Sequence, residues 1–201
     1  KRQDVNTGAV LACATYPSYD LNTYYQNYEA LSKDKSSPLW NRALMSTYEP
    51  GSTMKPAIAA AGLEEGVITE TSKFYCSHIY RQFTDTTFKC LGSHGWIDVK
   101  NALNQSCNIY FYETGRLLGI NRMNDYCTRF GLGQKTGVEI NESSGVLAGI
   151  AYREAHGGTW YPGDTVQAAI GQSDNLFTPI QLCSYVSTIA NGGTRSVSYT
   201  H

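Results

Sequence analysis

Apolar residues fall at helical spacing most clearly near the end of the chain. There T-P-I-Q-L-C-S-Y-V-S-T-I-A, Thr178 to Ala190, opens on a capping threonine with a proline just inside the start, and N-G-G follows it. A helix is predicted over that span. A second predicted helix, alanine-rich, runs from about Ser52 to Leu63. Pro56 pins its start near Ser52, because a proline in the first turn lacks an N–H that no helical carbonyl would have used. Ile120 to Phe130 reads as another helix, closed by G-L-G, and Val99 to Leu118 has mixed helical character. The run T-G-A-V-L-A-C-A-T-Y-P, Thr7 to Pro17, is rich in small and β-branched residues and predicts a strand over Gly8 to Thr15. Ser18 to Glu49 reads as irregular surface with short helical pieces at most, and Phe74 to Gly95 as loop or hairpin with aromatic punctuation. Gly137 to Gly163, polar and glycine-rich, reads as a surface excursion. There is no internal repeat and no low-complexity tract.

With 201 residues the chain can bury one ordinary core. Its 16 basic and 17 acidic residues leave no excess of either sign, so nucleic acid is excluded as an expected partner. No apolar run reaches membrane-spanning length, and K-R-Q-D-V-N lacks the apolar core of a signal peptide. Any anchor or export signal is therefore expected outside this sequence, or not at all.

The candidate chemistry lies in Y-E-P-G-S-T-M-K-P, Tyr48 to Pro56, where a serine and a lysine stand three residues apart at a helix start. That spacing puts Ser52 and Lys55 on one face. Free backbone N–H groups and the macrodipole there favour developing negative charge. A serine hydroxyl is a poor nucleophile until a base takes its proton, and a lysine can do so once burial lowers its pKa. Alone, S-x-x-K far more often marks a helix cap beside a solvated lysine, because four-residue patterns recur by accident. Downstream, Q-S-C-N places Ser106 and Asn108 on either side of Cys107.

Y-E-P-G-S-T-M-K-P, then S-C-N, F-G-L-G-Q-K-T-G, G-Q-S-D-N-L-F-T-P-I-Q-L and I-A-N-G-G occur in an order that resembles the transpeptidase domain of class B penicillin-binding proteins, over nearly the whole chain. The resemblance implies an α/β fold of the α+β type, the serine β-lactamase and D,D-transpeptidase architecture: an antiparallel sheet flanked by helices plus an all-helical half. It implies that Ser52 attacks the D-Ala-D-Ala carbonyl of a peptidoglycan stem peptide and passes the acyl group to an amine of a second strand. Lys55 would be the general base, Ser106 would relay the proton to the leaving amine, and Asn108 would orient the donor peptide. The backbone N–H of Ser52 would be half of an oxyanion hole. β-Lactams would acylate the same serine. No cofactor is required for this chemistry. Other cell-wall synthesis proteins are expected partners, at the extracytoplasmic face of a bacterial membrane, with an N-terminal anchor outside this sequence. Gly171 and Gln172 in G-Q-S-D-N match a segment lining the approach to the site, although a turn and N-cap cluster accounts for the same residues.

The third motif of that family, Lys-Thr/Ser-Gly, follows the T-P-x-Q-L helix. The literal K-T-G here, Lys135 to Gly137, precedes that helix and reads as a decoy. The chain stops at His201, so the motif-bearing strand and the remaining C-terminal strands are expected beyond it, and both ends read as boundaries of a partial domain spanning 1–201. Such a fragment is expected to turn over poorly and to leave sheet edges unpaired.

Six cysteines are too few for a disulfide scaffold. Cys76, His78, Cys90, His94 and Cys107 cluster in sequence, with the donor types of structural zinc. The resemblance favours Cys76, Cys90, His94 and Cys107, because some elongation-type relatives hold zinc through the histidine of a G-x-H-G-like turn and the central residue of Ser-x-Asn. A set that includes His78 and a Cys76–Cys90 disulfide both stay open. Cys13, Cys127 and Cys183 read as core residues. Two other classes share the serine motif. A β-lactam sensor domain would be told apart by its flanking sequence. A serine β-lactamase needs a deacylating base, which Glu142, followed by two serines, does not match.

Overall fold

The computed structural model describes residues 2–196. Of the terminal S-V-S-Y-T-H only Ser196 lies within that span, and Lys1 lies outside it. In chain order the elements are β1 (Arg2–Gln3), β2 (Val10–Ala12), α1 (Tyr24–Lys33), α2 (Arg42–Met45), α3 (Lys55–Glu64), β3 (Phe74–Cys76), β4 (Ile79–Tyr80), β5 (Phe88–Lys89), β6 (Gly95–Ile97), α4 (Val99–Asn104), α5 (Asn108–Leu118), α6 (Ile120–Arg129), α7 (Ile150–Ala155), α8 (Pro162–Ala169) and α9 (Pro179–Ala190). They divide into two compact units: residues 1–48, 133–145 and 177–201, and residues 49–132 and 146–176.

In the first unit β2 lies within the predicted span Gly8 to Thr15 and pairs antiparallel with β1, a strand outside that span, Arg2 opposite Ala12. Helix α9 starts where its capping residues say it should. The Gln181 N–H donates to Thr178 Oγ1 at 3.3 Å, and the Thr178 N–H donates to Gln181 Oε1 at 2.9 Å, so two N–H groups without helical partners are satisfied reciprocally. The Gln181 amide nitrogen also donates to the carbonyls of Gln134 and Ser144, which holds the 134–144 loop against the helix. Helix α1 is not signalled by any apolar stripe, and it buries no residue.

The second unit is built around α5, in which Ile109, Tyr110, Phe111 and Tyr112 are all buried. Four consecutive buried side chains need packing on every side: α3, α8 and the β3–β6 ribbon supply it. Burying a side chain such as Phe111 contributes roughly 1.5–3 kcal/mol. Gly115 lets α8 approach closely, since a Cβ there would run into the Ala169 methyl. The Phe74 to Gly95 span is a nested hairpin, β3 pairing β6 with β4 pairing β5 inside. The Val99 to Leu118 span is two helices, broken at Gln105–Cys107 where Ser106 takes a left-handed φ of 52°. The Gly137 to Gly163 span differs from a plain excursion, because it contains α7 and the start of α8. Among the described residues no helix is long and apolar enough to cross a membrane.

Candidate active site

Ser52, Lys55, Ser106, Asn108, Gly171 and Gln172 all lie in the second unit. Ser52 is exposed on a 3-10 turn, Gly51–Met54, and the α-helix proper begins only at Lys55, three residues later than the sequence suggests. Pro56, as its second residue, sits where the missing N–H costs no helical bond. The turn is seated on the main chain: the Gly51 N–H donates to the Gly171 carbonyl at 2.9 Å. Gly171 is buried with φ 74°, and a Cβ on it would strike the Gly51 carbonyl oxygen. Gly171 therefore backs the turn of the serine, and the neighbouring Gln172 side chain is exposed. Arg153 braces the following loop through Asp174 at 2.6 Å and Ser173 at 3.2 Å, a contribution no motif in the sequence signals.

Lys55 is 1% exposed. Its ammonium donates to the Ser106 carbonyl at 2.8 Å, Ser106 Oγ at 2.9 Å and Asn108 Oδ1 at 2.7 Å, and lies 5.7 Å from the centre of the Phe111 ring. Three N–H donors thus meet three acceptors. Burial pushes the Lys55 pKa down to about 8, against the upward pull of Cys90 and Cys107. Ser106 Oγ in turn donates to Ser52 Oγ at 2.8 Å. Helical spacing brings Lys55 to the face of Ser52, but the hydrogen-bonded link between them runs through Ser106. Once the ammonium loses a proton, the freed lone pair can accept from Ser106 Oγ while Ser106 accepts from Ser52, an arrangement able to carry a proton away from the exposed hydroxyl.

The nested hairpin holds Asn108 from the other side. Its side-chain N–H donates to the Lys89 carbonyl at 3.2 Å and its backbone N–H to Cys90 Sγ at 3.2 Å. This fixes which end of the amide faces Lys55. Because the Lys89 acceptor is backbone, no residue type advertises it.

Cys76, Cys90, His94 and Cys107 converge, all four donor atoms within 4.8 Å of one another. Cys76 Sγ is 3.3 Å and Cys90 Sγ 3.6 Å from His94 Nδ1, and the Cys90 and Cys107 sulfurs are 3.9 Å apart. A tetrahedral zinc with Zn–S of about 2.3 Å and Zn–N of about 2.0–2.1 Å needs donor separations of roughly 3.5–3.8 Å; the donor types match, and the three separations above bracket that range. His78 is not in the cluster and gives its backbone carbonyl to the Cys90 N–H. All six cysteines are free thiols. Cys127 is a core residue whose thiol burial raises to about 12, whereas Cys13 is exposed and Cys183 half-buried, which corrects the expectation for those two.

The K-T-G stretch lies in the first unit, and Thr136 and Gly137 are engaged within their own loop while Lys135 is exposed. Thr136 Oγ1 donates to Glu142 Oε2 and the Gly137 N–H to Glu142 Oε1, both at 2.8 Å.

Residues 3–199 match the family described as penicillin binding protein transpeptidase domain, and the chain belongs to it. The class B assignment agrees with its relatives. The chain is 35% identical over 204 residues to the peptidoglycan D,D-transpeptidase MrdA of Salmonella typhimurium, covering 95% of this chain and 32% of that protein. Among solved structures it resembles Pseudomonas aeruginosa PBP2 in complex with WCK 5153, with 36% identity, a TM-score of 0.87, and 94% of this chain and 45% of that one covered. The complex of PBP2 and MreC from Helicobacter pylori matches with 29% identity and a TM-score of 0.90, over 98% of this chain and 38% of that one. The fold is that of the D,D-transpeptidases, mixed helix and sheet. The chain spans about a third of the length of the curated relatives it matches.

Proposed function

We propose that this chain is the part of a peptidoglycan D,D-transpeptidase that carries the acylating serine, with residues 1–201 belonging to one transpeptidase domain. The observation that carries the reading is the line from buried Lys55 through Ser106 Oγ to exposed Ser52 Oγ. Neutral Lys55 accepts a proton from Ser106 as Ser106 takes the proton of Ser52. The Ser52 oxygen attacks the penultimate D-Ala carbonyl of a stem peptide, forming a C–O bond and a tetrahedral oxyanion that collapses to an acyl-serine ester. Collapse breaks the D-Ala-D-Ala amide, and the proton held at Lys55 returns through Ser106 to the departing amine. The amine of a second stem peptide then attacks the ester along the same line and restores Ser52. Asn108, clamped between Lys55 and Lys89, holds the donor peptide, and Gln172 flanks its approach from the loop that Gly171 anchors. β-Lactams acylate the same oxygen.

Zinc on Cys76, Cys90, His94 and Cys107 is part of the proposal. The donor types and spacing support it, and its contribution is to stiffen the hairpin that grips Asn108. Metal analysis of the purified protein is expected to find one zinc, lost in Cys107→Ser; a metal-free protein would remove this element. The protein acts at the extracytoplasmic face of the membrane among other cell-wall proteins; the H. pylori relative, solved in complex with MreC, supports a protein partner.

The test is labelling of the full-length protein with a fluorescent penicillin. Covalent label on Ser52, absent from Ser52→Ala, is expected. Equal labelling of the two proteins would overturn the reading.

A further inference from the structure

The outer face of the nested hairpin carries an unusual pair. Two-residue alternation turns Cys76 and Ile97 inward and therefore turns Tyr75 and Trp96 out. These two stand directly opposite each other across β3 and β6, their ring centres 5.5 Å apart, and remain 56% and 70% exposed. They form one wall of a groove of about 450 Å³, in the size range of roughly 300–1,000 Å³ for small-ligand sites. The rest of its lining mixes apolar side chains, Phe74, Ile79 and Ile109, with the polar and cationic Lys73, Arg81 and Gln82. Glu113, on the floor, already holds Arg116 at 2.8 Å, whereas Arg81 has no ion pair among the described residues. The floor is α5 itself, through Ile109 and Glu113, and the first residue of that helix is Asn108.

We infer that this groove binds the glycan strand of peptidoglycan. The apolar faces of pyranose rings stack on exposed aromatic side chains while hydroxyl and acetamido groups take hydrogen bonds from the rim, a combination that Tyr75, Trp96 and Gln82 offer together. The uncompensated Arg81 and nearby Lys73 complement free carboxylates on the first residues of the stem, or the lactyl carboxylates of muramyl sugars whose stem has been removed. A protein partner seated on this face would place an apolar surface against the two cations; a carboxylated sugar polymer matches both halves of the groove. Position favours the same occupant. The floor of the groove and the residue that grips the donor peptide share helix α5, and on that placement the groove holds the polymer whose branch reacts at Ser52. In this respect the inference rests on the transpeptidase reading.

The test uses the full-length protein and glycan strands freed of stem peptides by amidase, which bear lactyl carboxylates. Binding is read by sedimentation in every protein and, in the parent and the Arg81 variant, also from the fluorescence of Trp96. Saturable binding is expected, weakened about tenfold in Trp96→Ala and kept in Trp96→Phe. Arg81→Gln is expected to weaken these strands severalfold while leaving uncharged N-acetylglucosamine oligomers unaffected. Penicillin labelling of Ser52 should proceed at the parent rate in all three variants, which also shows that they fold. Glycan binding unchanged in both Trp96→Ala and Tyr75→Ala, or capture of a protein and not of glycan by this face, would overturn the inference even with labelling intact. Glycan binding to a parent protein that takes no penicillin label would overturn the transpeptidase reading and leave the groove standing.

Discussion

Lys55 and Lys135 each belong to a literal motif of the transpeptidase family, and the two regions around them are built in opposite ways. Around Lys55 the cation is buried and fully partnered, and the line of hydroxyls it feeds ends on an exposed oxygen. Around Lys135 the lysine is exposed, while the threonine beside it is buried and bonded to a buried glutamate. Reactivity needs a group whose last hydrogen-bonding position stays open to a substrate; a stable loop needs every such position closed. Three letters in a row do not distinguish the two cases.

The sharpest way to break this contrast is Lys55→Met, which keeps the bulk and removes the base. Penicillin acylation of the full-length protein is expected to fall about a thousandfold or more, measured by rapid-mixing kinetics. Ser106→Ala comes next. Because the hydrogen-bonded route from Lys55 to Ser52 passes through Ser106, acylation should drop about a hundredfold. A drop of less than about threefold would mean that the lysine reaches Ser52 unaided.

The pH profile refines the Lys55 side. Burial lowers its pKa from 10.5 to about 8, so the neutral amine that accepts the proton disappears as pH falls through 8, and acylation should decline about tenfold per unit below it. The stability linkage has the same sign. The unfolded chain holds this proton more tightly than the folded one, so the contribution of Lys55 to stability rises as pH climbs from about 8 to 10.5 and is lost as it falls back. A rate that stays flat from pH 6 to 9 would break the assignment. The smallest effect on acylation belongs to the other region. Thr136→Val should leave the rate within about twofold and cost about 1–3 kcal/mol in urea unfolding, because Glu142 keeps its burial and loses a donor. Loss of acylation there would make the Lys135 motif catalytic.

What the sequence revealed, and what it hid, follows from where the causes lie. Helix α9 carries its start and stop within a few residues of chain, in Thr178, Pro179, Gln181 and N-G-G, so it can be read from the letters. Helix α1 and the helix hidden in the Gly137 to Gly163 span have no such local signature. The short helix α7 buries no residue, and Arg153 on it is tied to Asp164 and Asp174, partners distant in the chain. The chemistry divides the same way. The residue types and order around Ser52, Lys55, Ser106 and Asn108 were legible, as was the group of three cysteines and His94. The placement of Ser106 between nucleophile and base was not. It depends on a left-handed residue that interrupts what would otherwise be one continuous helix, and strain of that kind is maintained by tertiary contacts.

The seat of the nucleophile is a meeting of two main chains, Gly51 on Gly171, with no side chain between them. Such a joint gives selection nothing to tune: any larger residue collides at one position, and at the other it must adopt a backbone hand that L-amino acids avoid. Variants that discriminate between an antibiotic and a natural peptide therefore have to arise in the walls around the hydroxyl, while the socket beneath it stays as it is.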